Sequence, residues 1–234
     1  MSSDPNQQKQ LAADHAATYV QSGMVIGLGT GTTAILFLRR LAQRLADGDL
    51  TNVVGIPTST QIETEAKRLH FPLVTLEEYP IIDLTVDGAD EVDPHLNLIK
   101  GGGGALLREK IVAQASKRVA IIVDEAKLSP ILGTKWHVPI EVIGFGWRTQ
   151  VAYLTGLGAK VVLRQTKADA TFITDQGNYI LDSHFGLIPN PAALAQTLNQ
   201  RVGIVEHGLF VGLAQEVIVG SADGVRILRP AGGS

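Results

Sequence analysis

The sequence predicts an α/β fold in which a smaller α+β domain is inserted into a domain with a mostly parallel sheet. Up to residue 130, short apolar runs rich in β-branched residues alternate with amphipathic helical runs, and glycine-rich turns follow the strands. Residues 131–207 have the different order β-α-β-β-α-β. We therefore expect a Rossmann-like catalytic domain of residues 1–130 and 208–234, and an inserted ferredoxin-like domain of residues 131–207.

The elements of the first domain follow from hydrophobic periodicity. In the run 34–46, for example, Ile35, Leu38, Leu41 and Leu45 fall on one helical face. The same reasoning predicts helices over 11–20, 34–46, 58–69 and 105–115 and strands over 24–28, 52–56, 73–76, 81–86 and 119–123. A hairpin of strands 217–219 and 225–228 is expected to return to the first sheet, and the tail 231–234 is expected to be disordered.

The second domain is expected to begin with a strand over 136–143 that Pro139 breaks. Helices are predicted over 146–158 and 191–198, and extended segments over 160–163 and 203–211. The segment 172–181 is predicted to be a hairpin, because the turn residues from Asp175 to Asn178 separate two extended runs.

Composition limits the classes of function. The 234 residues carry a net charge of −3 and no basic run, which gives no indication of nucleic-acid binding. Cysteine is absent, which excludes disulfides and thiolate chemistry and fits a reducing compartment. No apolar run approaches the ~20 residues of a membrane span, residues 1–10 lack the apolar core of a signal peptide, and the six histidines lack metal-ligand spacing. We expect a cytoplasmic protein with no metal, membrane or nucleic-acid partner.

The turn Gly-Thr-Gly-Thr-Thr33, between a strand and a helix, has the form of a phosphate-binding loop. Its glycines let backbone N–H groups point inward, and a helix N-terminus follows. Read with Ala34, the same residues match a dinucleotide fingerprint, but the second strand ends in Gly-Ile-Pro-Thr-Ser59 without the acid that such a site requires. A monophosphate is favoured over a dinucleotide and over a purely structural turn.

A second cluster of polar residues follows the strand that ends near Val86. Asp87 and Asp90 come first, Lys100 then begins a run of four glycines, and Glu109 lies in the next helix. Ligands of open α/β sheets bind beyond the carboxyl ends of the strands. Asp93, which precedes a proline, is instead expected to be an ordinary turn residue.

Together the two clusters predict a small phosphorylated substrate that bears hydroxyl groups. Asp87 and Asp90 can accept hydrogen bonds from hydroxyls, and Lys100 can stabilise charge on a carbonyl oxygen. Glu109, desolvated in a cleft and with its pKa raised, can act as a general base. A base and an electrophilic lysine fit proton abstraction beside a carbonyl, of which aldose–ketose isomerisation is the simplest case.

At these residues the chain resembles the ribose-5-phosphate isomerase family of type A. The resemblance covers nearly the whole chain and is carried by these motifs: Gly-Leu-Gly-Thr-Gly-Thr-Thr33, Val-Asp-Gly-Ala-Asp-Glu91, Lys-Gly-Gly-Gly-Gly-Ala-Leu-Leu-Arg-Glu109, Asp-Glu-Ala-Lys127, Pro-Ile-Glu-Val142, Thr-Asp-Gln-Gly-Asn178 and Gly-Leu-Phe210.

The resemblance implies an enzyme of the pentose phosphate pathway that interconverts ribose 5-phosphate and ribulose 5-phosphate through an enediol(ate). It further implies that no cofactor is needed and that the chain forms a homodimer or a dimer of dimers. The implied catalytic residues are Glu109, Asp87, Asp90 and Lys100. The implied substrate-binding residues are Thr30, Gly31, Thr32, Thr33, Asp87, Gly88, Ala89, Asp90, Lys100, Gly101, Gly102, Gly103 and Lys127. The family often has Ser where Ala126 stands, and we expect this change to loosen how Lys127 is held.

Two related functions compete with this interpretation. A sugar-phosphate sensor that binds without turnover would normally carry a DNA-binding helix-turn-helix, and the residues before the first strand predict only one helix. An amino-sugar phosphate isomerase would require a histidine beside the acids, where the sequence offers only His95. We expect His95 to be a solvated loop residue.

Overall fold

The computed structural model describes residues 4–230. The chain forms two compact units, of which the first comprises Met1–Ala89, Arg108–Lys127 and Gly212–Ser234 and the second comprises Asp90–Leu107 and Leu128–Val211. The domain boundaries predicted from the sequence stay a prediction, and the predicted disordered tail, 231–234, lies outside the described residues.

Strands and α-helices are distributed along the whole of the described chain. The strands are β1 Val25–Leu28, β2 Val54–Pro57, β3 Leu84–Asp87, β4 Glu91–Val92, β5 Leu98–Ile99, β6 Val119–Asp124, β7 Val138–Val142, β8 Lys160–Leu163, β9 Tyr179–His184, β10 Ile204–His207, β11 Leu209–Phe210, β12 Glu216–Ser221 and β13 Gly224–Leu228. The α-helices are α1 Pro5–Ala17, α2 Thr32–Ala46, α3 Thr60–Arg68, α4 Leu106–Gln114, α5 Trp147–Gly156 and α6 Pro191–Asn199. Within residues 4–230, every helix is too short or too polar to cross a membrane.

The first unit is built on a six-stranded sheet of order β13-β12-β6-β3-β1-β2. All neighbouring strands pair in parallel except β12 and β13, which form an antiparallel hairpin. The parallel sheet and the return of the last hairpin to it are therefore confirmed. Because all parallel strands point the same way, the loops after β1, β2, β3 and β6 emerge at one edge of this sheet.

The sheet of the first unit buries apolar side chains on both faces, as parallel sheets usually do. On one face, Phe37 and Leu41 of α2 pack with Ile26, Val86 and Ile122 of the strands, and α1 adds a row of alanines. A smaller cluster contains Val25, Ile56, Ile82 and Val112. This burial explains why the strands of the first unit have continuous apolar sequences.

The second unit contains an antiparallel sheet of order β10-β7-β9-β8, with α5 after β7 and α6 after β9. This strand order confirms the predicted ferredoxin-like arrangement. Its core includes Val138, Ile140 and Leu181 from the sheet, Leu154 from α5 and Leu198 from α6. A small sheet of order β11-β5-β4 belongs to the same unit.

Several predicted elements begin or end at other residues than expected, and three predictions are wrong in a further respect. The segment 73–76 is not a strand, because it pairs only through the single bridge from Leu73 to Gly55 and then turns where Glu78 accepts from the N–H of Thr75. Pro139 does not break β7, since it keeps register with Asp182 of β9 and its carbonyl accepts from the N–H of Gly208. The turn before β9 is present, but the antiparallel partners of β9 are β7 and β8 and not the segment that precedes the turn.

Asp83, which the sequence left unassigned, ties the start of β1 to the start of β3. Its Oδ2 accepts from the N–H of Val25 at 2.9 Å, and its Oδ1 accepts from Lys117 Nζ at 2.8 Å. The bond from Lys117, followed by the bond from Val25, lowers the pKa of Asp83 below its ordinary value of 3.8.

We predict that Asp83→Asn lowers the free energy of unfolding at pH 7 by about 0.5–1 kcal/mol, because the ion pair is partly exposed and screened. A carboxylate with a lowered folded-state pKa stabilises the fold above its unfolded-state pKa, and this contribution disappears as the pH falls through the folded-state pKa. The difference between wild type and variant should therefore shrink below about pH 4. Urea unfolding from pH 7 to pH 3 checks this, with the exposed Asp49→Asn as control; a difference that is constant with pH would contradict it.

Candidate active site

The loop after β1 leads directly into α2 and has the geometry of an anion-binding turn. Gly31 is the N-cap of α2 with φ of 107°, a left-handed conformation that glycine adopts without strain. Within residues 4–230, no side chain caps this helix at Gly31. Thr32, the first residue of the helix, is exposed, whereas Thr33 is buried. The N-terminus of α2 therefore offers backbone N–H groups and its dipole to a negatively charged ligand.

Asp87 links the loop after β1 to the loop after β3. Its Oδ1 accepts from the N–H of Thr30 at 3.0 Å and from the N–H of Gly88 at 2.7 Å, and the residue is only 2 % exposed. Gly29 is required beside it, because a Cβ at that position would lie 2.2 Å from the same Oδ1. Asp87 thus has a structural role in addition to the substrate contact that the sequence predicts.

The Thr30 hydroxyl faces the end of β2. Its Oγ1 lies 2.8 Å from Thr58 Oγ1 and donates to Ser59 Oγ at 2.8 Å. Thr58 in turn donates to the carbonyl of Leu28, and Ser59 caps α3 through the N–H of Ile62. The side chain of Thr30 is therefore part of a buried hydroxyl network that fastens two loops to each other, a role that the sequence did not reveal.

The other predicted site residues of the first unit lie on α4 and after β6. Glu109, in the first turn of α4, is only 4 % exposed. After β6, the Oδ1 of Asp124 accepts from the N–H of Ala126 at 3.1 Å and shapes the turn that carries Lys127. The predicted effect of Ala126 on Lys127 stays a prediction.

The turn after β6 is also held by α1. Gln8 donates from Nε2 to Glu125 Oε1 at 3.1 Å, and its Oε1 accepts from the N–H of Glu125 at 3.3 Å. Nothing in the local sequence indicated this pair, because 117 residues separate its two members.

In the second unit, Asp90 holds the glycine run that follows Lys100. Its Oδ2 accepts from the N–H of Gly102 at 2.7 Å, and its own N–H donates to the carbonyl of Ile99 at 2.8 Å. A Cβ on Gly102 would lie 2.7 Å from Asp90 Oδ1, so any other residue at this position would force the carboxylate to shift. Asp90 and the predicted loop residues Gly101 to Gly103 are thus brought together.

Lys100 is buried, with only 3 % of its surface exposed, although lysine side chains are usually exposed. Its N–H donates to the carbonyl of Gly208 at 2.9 Å, and its Nζ lies 5.4 Å from the centre of the Phe210 ring. An ammonium over an aromatic face gains a cation–π interaction that partly offsets its desolvation. This contact gives a physical reason for the motif from Gly208 to Phe210.

The remaining acids of the motif that begins at Asp87 have structural roles. Glu91 is fully buried, and its carboxylate accepts from the N–H groups of Gly133, Lys135 and Trp136. Asp93 accepts from the N–H groups of His95 and Asn97, which confirms it as a turn residue.

The side chain of His95 is exposed, as expected for a solvated loop residue. Among the residues that the structure describes, no group of three or more His, Asp or Glu side chains is arranged to hold a metal ion.

Comparison with known proteins identifies the family. A sequence model of the family described as ribose 5-phosphate isomerase A (phosphoriboisomerase A) matches residues 54–224. A protein of Chloroflexus aurantiacus named ribose-5-phosphate isomerase A is 55 % identical over 218 residues, which cover 93 % of this chain and 91 % of that protein. The chain belongs to the ribose 5-phosphate isomerase A family.

Solved structures of this family have the same fold. A D-ribose-5-phosphate isomerase in complex with phospho-erythronic acid matches with a TM-score of 0.95 and 41 % identity, covering 97 % of this chain and 100 % of that one. The ribose 5-phosphate isomerase of Plasmodium falciparum matches with a TM-score of 0.93 and 40 % identity, covering 97 % and 99 % of the two chains. The resemblance inferred from the motifs is thereby confirmed.

We predict that two threonines of the loop after β1, Thr30 and Thr32, make different contributions to stability and binding. Thr30→Val should lower the free energy of unfolding by about 1–3 kcal/mol, because it leaves buried hydroxyls without their partner. The exposed Thr32→Ala should leave stability within about 0.5 kcal/mol of wild type. Thr32→Ala should instead weaken the binding of a sugar phosphate.

Urea unfolding and calorimetric titration with ribose 5-phosphate measure the two effects. Equal losses of stability in both variants would contradict the assignment of the Thr30 hydroxyl to the network.

Proposed function

We propose that the chain interconverts D-ribose 5-phosphate and D-ribulose 5-phosphate in the pentose phosphate pathway. The observation that carries this proposal is its 55 % identity, over nearly the whole chain, to a ribose-5-phosphate isomerase A. The related structure that holds phospho-erythronic acid adds a chemical argument. A phosphorylated sugar acid combines a phosphate and hydroxyls with a planar anionic carboxylate, which resembles an enediolate.

For the phosphate, we propose the N-terminus of α2, with Gly31, Thr32 and Thr33. The uncapped helix N-terminus and the exposed hydroxyl of Thr32 support this choice. Thr30 contributes mainly by holding the loop, since its hydroxyl already contacts Thr58 and Ser59. Lys127 is proposed as a further cation for the substrate.

For the chemical step, we propose that Glu109 removes the proton from C2 of the open-chain aldose. The C–H electron pair forms the C1=C2 double bond, and the carbonyl electrons move onto O1 to give the enediol(ate). The proton then returns from Glu109 to C1, the proton of the O2 hydroxyl is transferred to O1, and C2 becomes the carbonyl. The hydrogen moves as a proton and the sugar is not oxidised overall, so this step needs no redox cofactor. The burial of Glu109 supports the raised pKa that a general base requires, and that raised pKa stays a prediction.

The remaining polar residues are proposed to bind the reacting end of the sugar. Lys100 is proposed to stabilise charge that develops on the carbonyl oxygen, and its low exposure supports a strong electrostatic effect. Asp87 and Asp90 are proposed to accept hydrogen bonds from sugar hydroxyls and to assist ring opening. The backbone of Gly88, Ala89 and the glycine run from Gly101 to Gly103 is proposed to complete the substrate contacts.

We also propose that the protein works in the cytoplasm as a homodimer or a dimer of dimers. The family resemblance supports the oligomeric state, and the absence of cysteine fits a reducing compartment such as the cytoplasm. Light scattering of the purified protein tests the oligomeric state, and a monomer at micromolar concentration would contradict it.

The direct test is conversion of ribose 5-phosphate to ribulose 5-phosphate by purified protein in the presence of a chelator. Turnover without an added cofactor supports the isomerase. Binding of the sugar phosphate without conversion would instead support a sugar-phosphate sensor, and conversion of an amino-sugar phosphate alone would support the other related isomerase.

We predict that Glu109→Gln lowers kcat by about 100-fold or more, because a general base typically contributes a factor of 10²–10⁴. The isosteric amide should preserve binding of phospho-erythronic acid, measured by calorimetry. The control is Glu63→Gln, which removes a glutamate of α3 that pairs only with Lys67 in the ion pairs described. Retention of more than about a tenth of the activity by Glu109→Gln, a loss below ~1.4 kcal/mol of transition-state stabilisation, would show that Glu109 is not the base.

A further inference from the structure

Arg164, which follows β8 in the second unit, connects the glycine run to the β-sheet of the same unit. Its guanidinium forms a two-pronged ion pair with Asp182, from Nε to Oδ2 at 3.0 Å and from Nη2 to Oδ1 at 2.5 Å. Its Nη1 donates to the carbonyls of Gly101 at 2.8 Å and Gly102 at 3.2 Å. The Arg164 side chain is only 11 % exposed, so these bonds are largely shielded from water.

Asp182 is well placed to hold this guanidinium. Burial raises the pKa of Asp182, but the interactions with His137 and Arg164 outweigh burial and keep the pKa below 3.8. His137 Nε2 lies 2.9 Å from Asp182 Oδ1, and Phe172 covers the guanidinium, with its ring centre 5.8 Å from the central carbon. Asp182 therefore carries a negative charge at neutral pH and fixes the orientation of Arg164.

The peptide group between Gly101 and Gly102 lies between Arg164 and Asp90. Residues 4–230 contain no cis peptide bond, so the carbonyl of Gly101 and the N–H of Gly102 point in opposite directions. The carbonyl accepts from Arg164, and the N–H donates to Asp90 Oδ2 at 2.7 Å. A cation at the oxygen end and a carboxylate at the N–H end match the dipole of this peptide, and hydrogen bonds in such a chain strengthen one another.

The loop has few other means of fixing this peptide. Its glycines have no side chains to pack, and Gly101 has φ of 97°. Glycine-rich backbone has more conformational freedom than any other. Apart from the turn bond from the N–H of Gly104 to the carbonyl of Gly101, the described hydrogen bonds to these carbonyls come from Arg164.

We propose that Arg164 is a positioning residue of the isomerase: it orients the Gly101–Gly102 peptide so that the Gly102 N–H holds the Asp90 carboxylate in place. This inference rests on the proposed function. Arginine is required because its planar group binds a carboxylate at one edge and two carbonyls at the other, whereas lysine offers a single point of charge. Asp182 supports this arrangement, because its carboxylate holds the other edge of the Arg164 guanidinium.

The first experiment does not depend on activity. Amide hydrogen exchange of Gly102 is measured by NMR in wild type, Arg164→Lys and the control Arg201→Lys. Arg201 is also partly buried in the second unit, where it donates to Gln150 and covers Tyr153. We expect exchange of Gly102 to be at least tenfold faster in Arg164→Lys and unchanged in Arg201→Lys. Unchanged exchange in Arg164→Lys would overturn the proposal.

The second experiment asks whether Arg164 acts through Asp90. We expect Arg164→Lys to lower kcat about tenfold while KM for ribose 5-phosphate changes less than threefold, a change of ~1.4 kcal/mol in the barrier. When Asp90 is already replaced by Asn, Arg164→Lys should cost less than a further twofold, since residues that act as a unit are not additive. A tenfold loss in both backgrounds would overturn the action through Asp90.

A milder variant covers the case in which Arg164→Lys does not fold. Asp182→Asn keeps one acceptor for the guanidinium, and we expect about a threefold loss of kcat and faster exchange of Gly102, with the thermal midpoint within about 4 °C of wild type. Normal exchange and normal kcat in this variant would overturn the proposal. If wild type itself fails to convert ribose 5-phosphate, the proposed function falls, and the exchange experiment alone then decides whether Arg164 orients the peptide.

Discussion

Two loops at the edge of the parallel sheet depend on one buried carboxylate oxygen for their position. Asp87 Oδ1 accepts from the N–H groups of Thr30 and Gly88, and so joins the loop after β1 to the loop after β3. Charge-assisted hydrogen bonds of this kind are stronger than neutral ones, and leaving such a carboxylate unpaired in the interior would be costly. The absence of a side chain at Gly29 is a direct consequence, because any Cβ there would occupy the space of that oxygen. The turn between β1 and α2 is therefore held in place by its contact with Asp87.

Other acids of the motif that begins at Asp87 also accept hydrogen bonds from backbone N–H groups. Acids at the end of a strand suggest ligand contacts, but these acids have structural roles as well. Glu91 accepts from three backbone N–H groups, Asp93 closes a turn, and Asp90 accepts from Gly102. Loops rich in glycine lose much conformational entropy on folding, so they need fixed partners outside themselves. In this motif the side chains provide those partners, and Asp90, which is proposed to contact the substrate, also shapes the loop through its bond with Gly102.

The sequence predicted what depends on local pattern and missed what depends on distant contacts. The strand, glycine turn and helix around Gly31 were found because their signals lie within some twenty residues, and the ferredoxin-like unit followed from the order of its elements. The segment 73–76 has the apolar pattern of a strand, but it pairs through one bridge only, which composition cannot show. Arg164 and Asp182 were not recognised at all, because 63 residues separate Arg164 from Gly101 in sequence. A lone arginine after a strand resembles any solvated surface residue.

The hydroxyl network of Thr30, Thr58 and Ser59 shows why the presence of a residue in a motif does not determine the chemical role of its side chain. A buried hydroxyl must find hydrogen-bond partners, and these three satisfy one another at the ends of β1 and β2. The hydroxyl of Thr30 is thereby engaged within the protein, while Thr32 stands exposed at the start of α2. The backbone N–H groups of the helix N-terminus, which the buried network helps to hold in place, are therefore the donors proposed to bind an anion. In this loop the hydroxyl of Thr30 therefore serves to hold the chain in place, and the exposed Thr32 is the threonine proposed to contact the ligand.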